Sequence, residues 1–317
     1  MTSYLARRIG IAALLLWLVA TVIFFSIYLL PGDPAFIILG GLEAHPTDEA
    51  LQAVRSQLGL DRPLVVQYAS WLSHLTRGDL GRSLITGRPV RRDLSIRFLR
   101  TADLMVPSIS IAAILGVTGG LLAARARGTI LDPLLSALPL LGFSVPVFVV
   151  APILVYLFSI SLHLLPSSGY ADWSDGAAQF ASHLVLPVAA LVAAPTATTM
   201  RMTRSSALEQ LSLDYVRTAR GKGLSSARVM RRHVLRNAVL PVLTVLGLQI
   251  GGMFAGSVIT ESVFNWPGMN LFLLQAISQR DYPVIQSVVL LASVVFVAVN
   301  LLVDVSYAVL DPRIKYS

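Results

Sequence analysis

Long apolar stretches alternate with shorter polar segments along the chain, and each stretch could cross a lipid bilayer as a helix. A transmembrane helix needs about 20 predominantly apolar residues. Six such stretches run from about Ile9 to Leu30, Leu104 to Ala124, Pro133 to Leu162, Leu184 to Met200, Val239 to Ile259 and Val284 to Tyr307. The pattern therefore predicts an all-α polytopic membrane protein with six transmembrane helices.

The first and third stretches have features of their own. Arg7 and Arg8 precede the first, as in a signal peptide. Its apolar part is too long for one, however, and no small-residue cleavage site follows, so we interpret it as a retained anchor. The third contains Pro139, Pro146 and Pro152, which interrupt helical hydrogen bonds and predict kinks.

Composition agrees with a membrane location. Of the 317 residues, 55% are hydrophobic and only 13% are charged, whereas a soluble domain carries roughly a quarter charged residues. The net charge of +8 does not indicate a nucleic-acid partner, because the basic residues lie between apolar stretches rather than on one soluble face. The absence of cysteine excludes disulfides, thiol catalysis and Cys-ligated metals.

Basic residues are concentrated in alternate loops. They occupy the N-terminal tail, the loop after the second stretch (Arg125 and Arg127), the segment 201–237 and the C-terminal tail (Arg313 and Lys315). Segment 201–237 carries nine Lys or Arg and two acidic residues, whereas loop 163–183 carries no Lys or Arg. Cytoplasmic loops are enriched in Lys and Arg. The sequence therefore predicts that both termini are cytoplasmic.

The segment 31–103 is too long to follow that charge rule, and it mixes nine Arg with eight acidic residues. Apolar residues at helical spacing predict a helix over Asp48–Leu58. Glycines at Gly78 and Gly81 predict a turn, and the mixed pattern over Val90–Leu104 is typical of a helix at the membrane interface. We expect an N-terminal tail and first span (1–30), a small helical extracytoplasmic insertion (31–103) and a core (104–317) with a cytoplasmic loop (201–237).

The sequence contains no complete catalytic or nucleotide-binding motif among those considered next. Gly221-Lys222 fails as a phosphate-binding loop, because Gly223 stands where Ser or Thr would bind magnesium and Val216 stands where the first Gly is needed. The five histidines are scattered, and the sequence contains no Gly-x-Ser-x-Gly nucleophile motif. We therefore expect a non-catalytic chain that binds no ATP, cofactor or metal of its own.

Polar groups within the spans are few. Gln249 lies near the middle of the fifth span, where it could line a pathway or hydrogen-bond a neighbouring helix; both interpretations remain open. The pairs Gly247/Gly251 and Gly252/Gly256 would allow close helix contact, either inside the bundle or with a partner subunit. The spans lack a central charged residue, which disfavours an ion-coupled carrier.

Segment 201–237 contains the most informative local pattern. Asp214 is a suitable N-cap for a short helix ending at Gly223, and Ser225 or Ser226 could cap a second helix before Pro241. A solvated basic loop attracted to lipid is one interpretation. The small residues Ala219, Gly221 and Gly223 favour another, in which a second protein approaches closely.

This segment resembles the coupling loop of ABC-importer permeases. Arg217, Thr218 and Ala219 stand where that loop has Glu-Ala-Ala, and Gly223 matches its Gly. The missing Glu and the long spacing to Leu240-Pro241 resemble the dipeptide/oligopeptide/nickel branch, specifically the first of its two paired permeases. Further motifs of that branch are Tyr4-Leu5-Ala6-Arg7-Arg8, Pro31-Gly32-Asp33-Pro34, Gly78-Asp79-Leu80-Gly81, Ser144-x-Pro146-x-Phe148, Phe264-x-Trp266-Pro267-Gly268, Arg280-Asp281-Tyr282-Pro283 and Leu310-Asp311-Pro312-Arg313.

The resemblance implies a type I ABC importer-like permease fold in a bacterial inner membrane. It also implies a second homologous permease, two cytoplasmic ATPases that bind ATP and Mg²⁺, and an extracytoplasmic substrate-binding protein. The ATPase contact would involve Arg217, Thr218, Ala219, Arg220, Gly221, Lys222, Gly223 and Leu224. Peptide is the first substrate expectation, ahead of nickel, glutathione or oligosaccharide. An ion-coupled carrier and a structural or signalling membrane protein are the competing classes.

Overall fold

The computed structural model describes residues 2–29, 34–39, 46–57 and 59–310. Residues 31–33 of the motif Pro31-Gly32-Asp33-Pro34 and the basic C-terminal tail with Arg313 and Lys315 lie outside these ranges. Within them the regular structure is helical, apart from one isolated bridge between Arg82 and Pro89. This agrees with the predicted all-α class.

The first helices are α1 (Thr2–Leu29), α2 (Pro34–Ile38), α3 (Asp48–Gln57), α4 (Leu64–Thr76), α5 (Val90–Arg125), α6 (Asp132–Ser144) and α7 (Val147–Leu154). They are followed by α8 (Ala177–Leu211), α9 (Asp214–Gly221), α10 (Ser226–Val229), α11 (Leu235–Gly256), α12 (Val258–Val263), α13 (Met269–Gln279) and α14 (Tyr282–Leu310). Among the described residues, five helical stretches are long and apolar enough to cross a membrane: Ala6–Ser26, Val90–Arg125, Ala177–Leu211, Ser226–Phe254 and Tyr282–Ser306.

The predicted third span is two consecutive helices rather than one. α6 ends at Ser144 and α7 begins at Val147. Val145 is extended, with φ −113° and ψ 115°, because Pro146 disfavours the helical conformation in the residue before it. α7 then continues as a π-helical segment, Val155–Ser161. Pro146 therefore breaks this span, where kinks alone were predicted, whereas Pro139 and Pro152 lie inside α6 and α7.

Two helices extend well beyond the predicted spans. α5 is continuous over 36 residues, so the prediction of a separate interfacial helix over 90–104 is wrong. α8 continues past Met200 to Leu211, giving 35 residues. At 1.5 Å per residue each is roughly 50 Å long, against a hydrocarbon core of about 30 Å. Residues 201–211, expected to be loop, thus form a helical extension of the fourth span.

The predicted boundary before the fifth span also differs. α10 leads through a π-helical turn, Met230–Val234, directly into α11. Pro241 lies inside α11 rather than at its start. Its missing N–H can be tolerated in a helix whose neighbours satisfy the freed carbonyl. The second helix predicted for segment 201–237 is therefore the first part of the fifth span.

The chain divides into two compact units. The first comprises Met1–Thr101 and Pro267–Val297. Within it, Asp281 is 4% exposed and accepts hydrogen bonds from Ser83 Oγ at 2.5 Å and from the Leu84 N–H at 3.1 Å. This carboxylate joins the loop before α5 to the loop before α14. Gly78 and Gly81, both with positive φ, form the turn that the sequence predicted.

The second unit comprises Ala102–Trp266 and Ala298–Ser317, and α8 is its central helix. Glycines bring neighbouring helices close to α8: a Cβ on Gly116 would lie 2.5 Å from Thr199 Cβ. A Cβ on Gly142 would lie 2.8 Å from the Ala193 carbonyl oxygen. These distances are below van der Waals contact, so only glycine permits this packing of α5 and α6 on α8.

Candidate coupling site

The predicted cytoplasmic helix is present as α9, one residue earlier than expected. It runs from Asp214 to Gly221, and the extended residue Leu213 precedes it. Asp214 was predicted to be the N-cap, but it is the first helical residue. Its carboxylate can still interact favourably with the helix N-terminus, where backbone N–H groups are unpaired.

Gly223 closes α9 through hydrogen bonds typical of a glycine C-cap. Its φ is +77°, a conformation that costs other residues energy because of their Cβ. The Gly223 N–H donates to the Arg220 carbonyl at 2.9 Å, and the Leu224 N–H donates to the Ala219 carbonyl at 3.3 Å. This pair of bonds is the Schellman motif. The predicted stop at Gly223 is confirmed and has a local cause.

One face of α9 packs against the chain's own helices. Val216 is fully buried and Ala219 is only 6% exposed. Both belong to a buried apolar cluster whose other members are Ala124, Ala207, Val229, Val234 and Ala238. Leu224 packs against the same cluster. Ala219 was predicted to contact a partner, but its side chain is directed into this cluster, so the structure places it beneath the surface.

The opposite face of α9 is exposed, and we call it the coupling face. It consists of Arg217, Thr218, Arg220, Gly221, Lys222 and Gly223. Arg217 Nη1 lies 3.2 Å from Asp214 Oδ1, with both side chains largely in solvent. Exposed pairs of this kind contribute little to stability, so the Arg217 side chain is not fixed by this one. Together with Arg220 and Lys222 it makes the face positively charged. Nothing lies within 4 Å of a Cβ built on Gly221, so the chain itself leaves that position open.

The Tyr215 side chain connects α9 to α8 and to the π-helical turn Met230–Val234. Its hydroxyl donates to Gln210 Oε1 at 2.8 Å, near the end of α8. It also lies 3.3 Å from the His233 carbonyl oxygen, in the π-helical turn, and accepts from Asn237 Nδ2 at 3.2 Å. The sequence interpretation did not identify Tyr215. Its position within a short basic helix gives no indication of partners 5 and 18 residues away.

An ion pair joins the start of α6 to α8. Arg204 Nη2 donates to Asp132 Oδ1 at 2.7 Å. The Gly128 N–H and the Ser136 hydroxyl also donate to this carboxylate. The Gly128 N–H, followed by Arg204, lowers the pKa of Asp132 below its ordinary value, because each donor favours the charged form.

Gln249, the candidate pathway residue, contacts a neighbouring helix. Its Oε1 accepts from Thr199 Oγ1 at 3.3 Å, and its Nε2 donates to the Pro195 carbonyl oxygen at 3.4 Å. These bonds join α11 to α8 and support the hydrogen-bonding interpretation; a role along a pathway stays a prediction. Gly247 also packs inside the unit, since its Cβ would lie 2.6 Å from Val303 Cγ2. In contrast, Gly252 and Gly256 have open space around their Cβ positions.

A buried acid lies near the end of α12, and the sequence analysis did not identify it as a site residue. Glu261 is fully buried and accepts from Ser257 Oγ at 3.1 Å. Its carbonyl oxygen accepts from the N–H of Trp266, which is itself fully buried. Glu261 therefore stabilises the turn that places Trp266 against Tyr170, with ring centroids 4.8 Å apart.

Sequence comparisons match the entire length of the chain. Residues 116–316 match the family described as binding-protein-dependent transport system inner membrane component, and residues 1–88 match its N-terminal region. The chain is 42% identical over 316 residues to a probable peptide ABC transporter permease protein of Sinorhizobium fredii, covering all of both chains. It is 41% identical over 317 residues to a glutathione transport system permease protein of Salmonella typhimurium, and 39% identical over 316 residues to one of Escherichia coli, again covering all of both chains.

Proposed function

Because this chain belongs to the family of binding-protein-dependent transport system inner membrane components, we propose that it is one of two membrane-spanning subunits of an ATP-driven peptide importer. The observation that carries this proposal is the full-length match to a probable peptide ABC transporter permease protein. The glutathione permeases point the same way, since glutathione is itself a tripeptide. Nickel and oligosaccharide remain the alternative substrates.

The proposed complex contains a second permease, two ATPase subunits and an extracytoplasmic binding protein. ATP and Mg²⁺ would be held by the ATPases, and hydrolysis would occur there rather than on this chain. The positive-inside pattern supports cytoplasmic termini in a bacterial inner membrane. The insertion 31–103 would then lie on the side from which the binding protein delivers substrate.

The coupling face of α9 is our proposed site for one ATPase. Three basic residues, Arg217, Arg220 and Lys222, surround the open position at Gly221. We infer an acidic rim around a groove on the partner, into which the C-terminal half of α9 inserts. Leu224 and Ala219 support the helix from beneath. Through Val216 and Tyr215, movement of α9 would pass directly to α8 and to the helix that begins the fifth span.

Reconstitution of the complete transporter, with both permeases, both ATPase subunits and the binding protein, in proteoliposomes tests this function. Uptake of labelled di- and tripeptides is expected to require ATP and the binding protein, and to resist ionophores. Nickel uptake without peptide uptake would change the substrate assignment. Ionophore-sensitive uptake without the ATPases would overturn the importer proposal.

Gly221→Trp and Gly221→Ala test the docking site as a matched pair. Neither meets an obstacle within the chain for its Cβ. Tryptophan is expected to block ATPase binding and abolish uptake, while alanine is expected to support it. Membrane insertion and pairing with the second permease should be unchanged in both. Normal uptake by the tryptophan variant would contradict the assignment.

A further inference from the structure

Helix α4 differs in composition from the rest of the segment that contains it. Residues 64–76 include no Asp, Glu, Lys or Arg, although charged residues lie close on both sides. Leu64, Val65 and Val66 are 44%, 75% and 45% exposed. The nearby helix α3, by contrast, begins with two acids and has an arginine in its last turn. α4 thus presents apolar side chains in a segment where a water-exposed helix would carry charge.

The contacts of α4 lie along the membrane-spanning helix α1. The ring centroid of Phe24 is 5.3 Å from that of Tyr68 and 5.4 Å from that of Trp71. The rings of Phe25 and Tyr68 are stacked at 5.7 Å. Aromatic contacts at these separations contribute beyond simple burial of area. α4 is therefore fixed beside α1, within one compact unit.

The position of these contacts along α1 gives the depth of α4. From Arg8, the last charged residue before the span, to the helix end at Leu29 is 21 residues, or roughly 32 Å at 1.5 Å per residue. This nearly equals the hydrocarbon thickness of about 30 Å. Phe24 lies five residues before Leu29 and Thr21 lies eight before it, or roughly 8 and 12 Å inside that end. The partners on α4 lie at the same depth.

Polar groups of α4 have partners that suit such a position. Thr21 Oγ1 donates to the Trp17 carbonyl oxygen at 2.8 Å, so the Tyr68 hydroxyl, also 2.8 Å away, is the donor to Thr21. Gln67 Nε2 donates to the carbonyl oxygens of Leu60 and Arg62. Hydrogen bonds of this kind are required of polar groups in hydrocarbon, where water cannot replace them.

We propose that α4 is embedded in the membrane leaflet farther from the N-terminus, with Leu64, Val65 and Val66 in contact with lipid acyl chains. In the proposed orientation this is the outer leaflet. Tyr68 and Trp71 attach α4 to α1, and the charged residues on either side return the chain to water. Part of the insertion predicted to be extracytoplasmic is therefore a membrane-binding element.

Single-cysteine variants test this proposal cleanly, because the natural chain contains no cysteine. Val65→Cys probes the lipid-facing side of α4, and Gln52→Cys, exposed on α3, is its matched control. In the complete transporter in membranes, each would be exposed to a water-soluble maleimide. Because the thiolate is the reactive form, Val65→Cys is expected to react at least about tenfold more slowly than Gln52→Cys.

A lipid-soluble photoreactive carbene precursor distinguishes lipid from a protein neighbour. It is expected to label the peptide that contains residue 65 and to leave the peptide that contains residue 52 unlabelled. Equal maleimide rates at the two positions would overturn the proposal, and so would protection of residue 65 from both reagents, since that indicates a covering protein. Reaction of Gln52→Cys only from the cytoplasmic side would overturn the proposed orientation, whereas the ratio of the two rates tests the depth of α4 independently.

Discussion

The Leu224 N–H donates to the carbonyl oxygen of Ala219 at 3.3 Å, and the side chains of both residues pack against the same buried cluster. The end of α9 is therefore determined by backbone bonding and by apolar packing at once. Gly223 both closes α9 and lies on the coupling face, but the buried residues that hold α9 in place are distinct from the other residues of that face. Mutations can separate the two roles.

Gly223 and Gly221 are expected to respond oppositely to alanine. Gly223→Ala places a Cβ in the left-handed region, at a cost of about 1–2 kcal/mol, and should lower the thermal unfolding midpoint and the uptake rate. Gly221→Ala lies in helix with open space and should be neutral or stabilise by up to about 1 kcal/mol. Thermal unfolding of the purified transporter measures both. Equal effects of the two substitutions would contradict the assigned C-cap.

Ala219 and Thr218 are neighbours with different roles. Ala219→Leu should destabilise by about 1–3 kcal/mol, because Ala219 is buried in a packed apolar cluster and a larger side chain there would overpack it. Thr218→Leu changes an exposed side chain, so stability should move by less than about 0.5 kcal/mol while ATP hydrolysis becomes less coupled to uptake. The ratio of ATP hydrolysed to peptide imported, measured beside the unfolding midpoint, distinguishes them. A large loss of stability in the Thr218 variant would contradict the assignment of Thr218 to the exposed coupling face.

Tyr215→Phe removes the hydroxyl that joins α9 to Gln210 and His233. The net loss should be about 1 kcal/mol, and amide hydrogen exchange in α9 should become faster while exchange elsewhere is unchanged. The exposed Tyr156 provides the control, since Tyr156→Phe removes a hydroxyl far from α9 in sequence. If exchange in α9 is the same in both variants, Tyr215 does not anchor the helix.

The Asp132–Arg204 pair should give a defined pH dependence. The folded-state pKa of Asp132 is lowered from 3.8, first by the Gly128 N–H and then by Arg204. Its stabilisation is therefore complete above the ordinary pKa and is lost as pH falls through the lower folded value. The difference in unfolding midpoint between the natural chain and Asp132→Asn should be constant near neutral pH and should shrink in acid below 3.8.

Arg204→Gln provides the check on that pH dependence. Removing the guanidinium raises the folded-state pKa of Asp132 towards its ordinary value, so less stabilisation remains and it disappears at higher pH. The unfolding midpoints of Arg204→Gln and Asp132→Asn, measured over the same range of pH, would show this change. A midpoint difference that grows on acidification would contradict the sign of the shift.

Asp281 is expected to hold its loop in place. Asp281→Ala leaves the buried Ser83 hydroxyl and the Leu84 N–H without their acceptor, at a cost of about 1–3 kcal/mol. Hydrogen exchange over residues 83–88 should accelerate. Ser83→Ala removes only one of the two donors and should have a smaller effect. An identical exchange pattern in all three chains would show that the carboxylate does not restrain this segment.

Several features follow from the sequence alone because their causes are local. Apolar stretches of sufficient length require a membrane or a core, so the spans could be identified from composition and spacing. The stop at Gly223 depends on one residue's freedom to adopt positive φ. The family resemblance was predicted from motifs that keep their order along the whole chain, and the sequence comparisons confirmed it.

Tertiary structure alone decided how far α5 and α8 extend beyond the predicted spans and which way the side chains are directed. Ala219 is a small residue on an amphipathic helix, and only the cluster formed by α5, α8 and the start of the fifth span shows that it is buried. The hydrogen bond between Gln249 and Thr199 connects residues 50 positions apart. The hydrogen bond between Ser83 and Asp281 connects residues 198 positions apart. Such pairings depend on how helices approach each other in space, and periodicity within one segment carries no information about its neighbour.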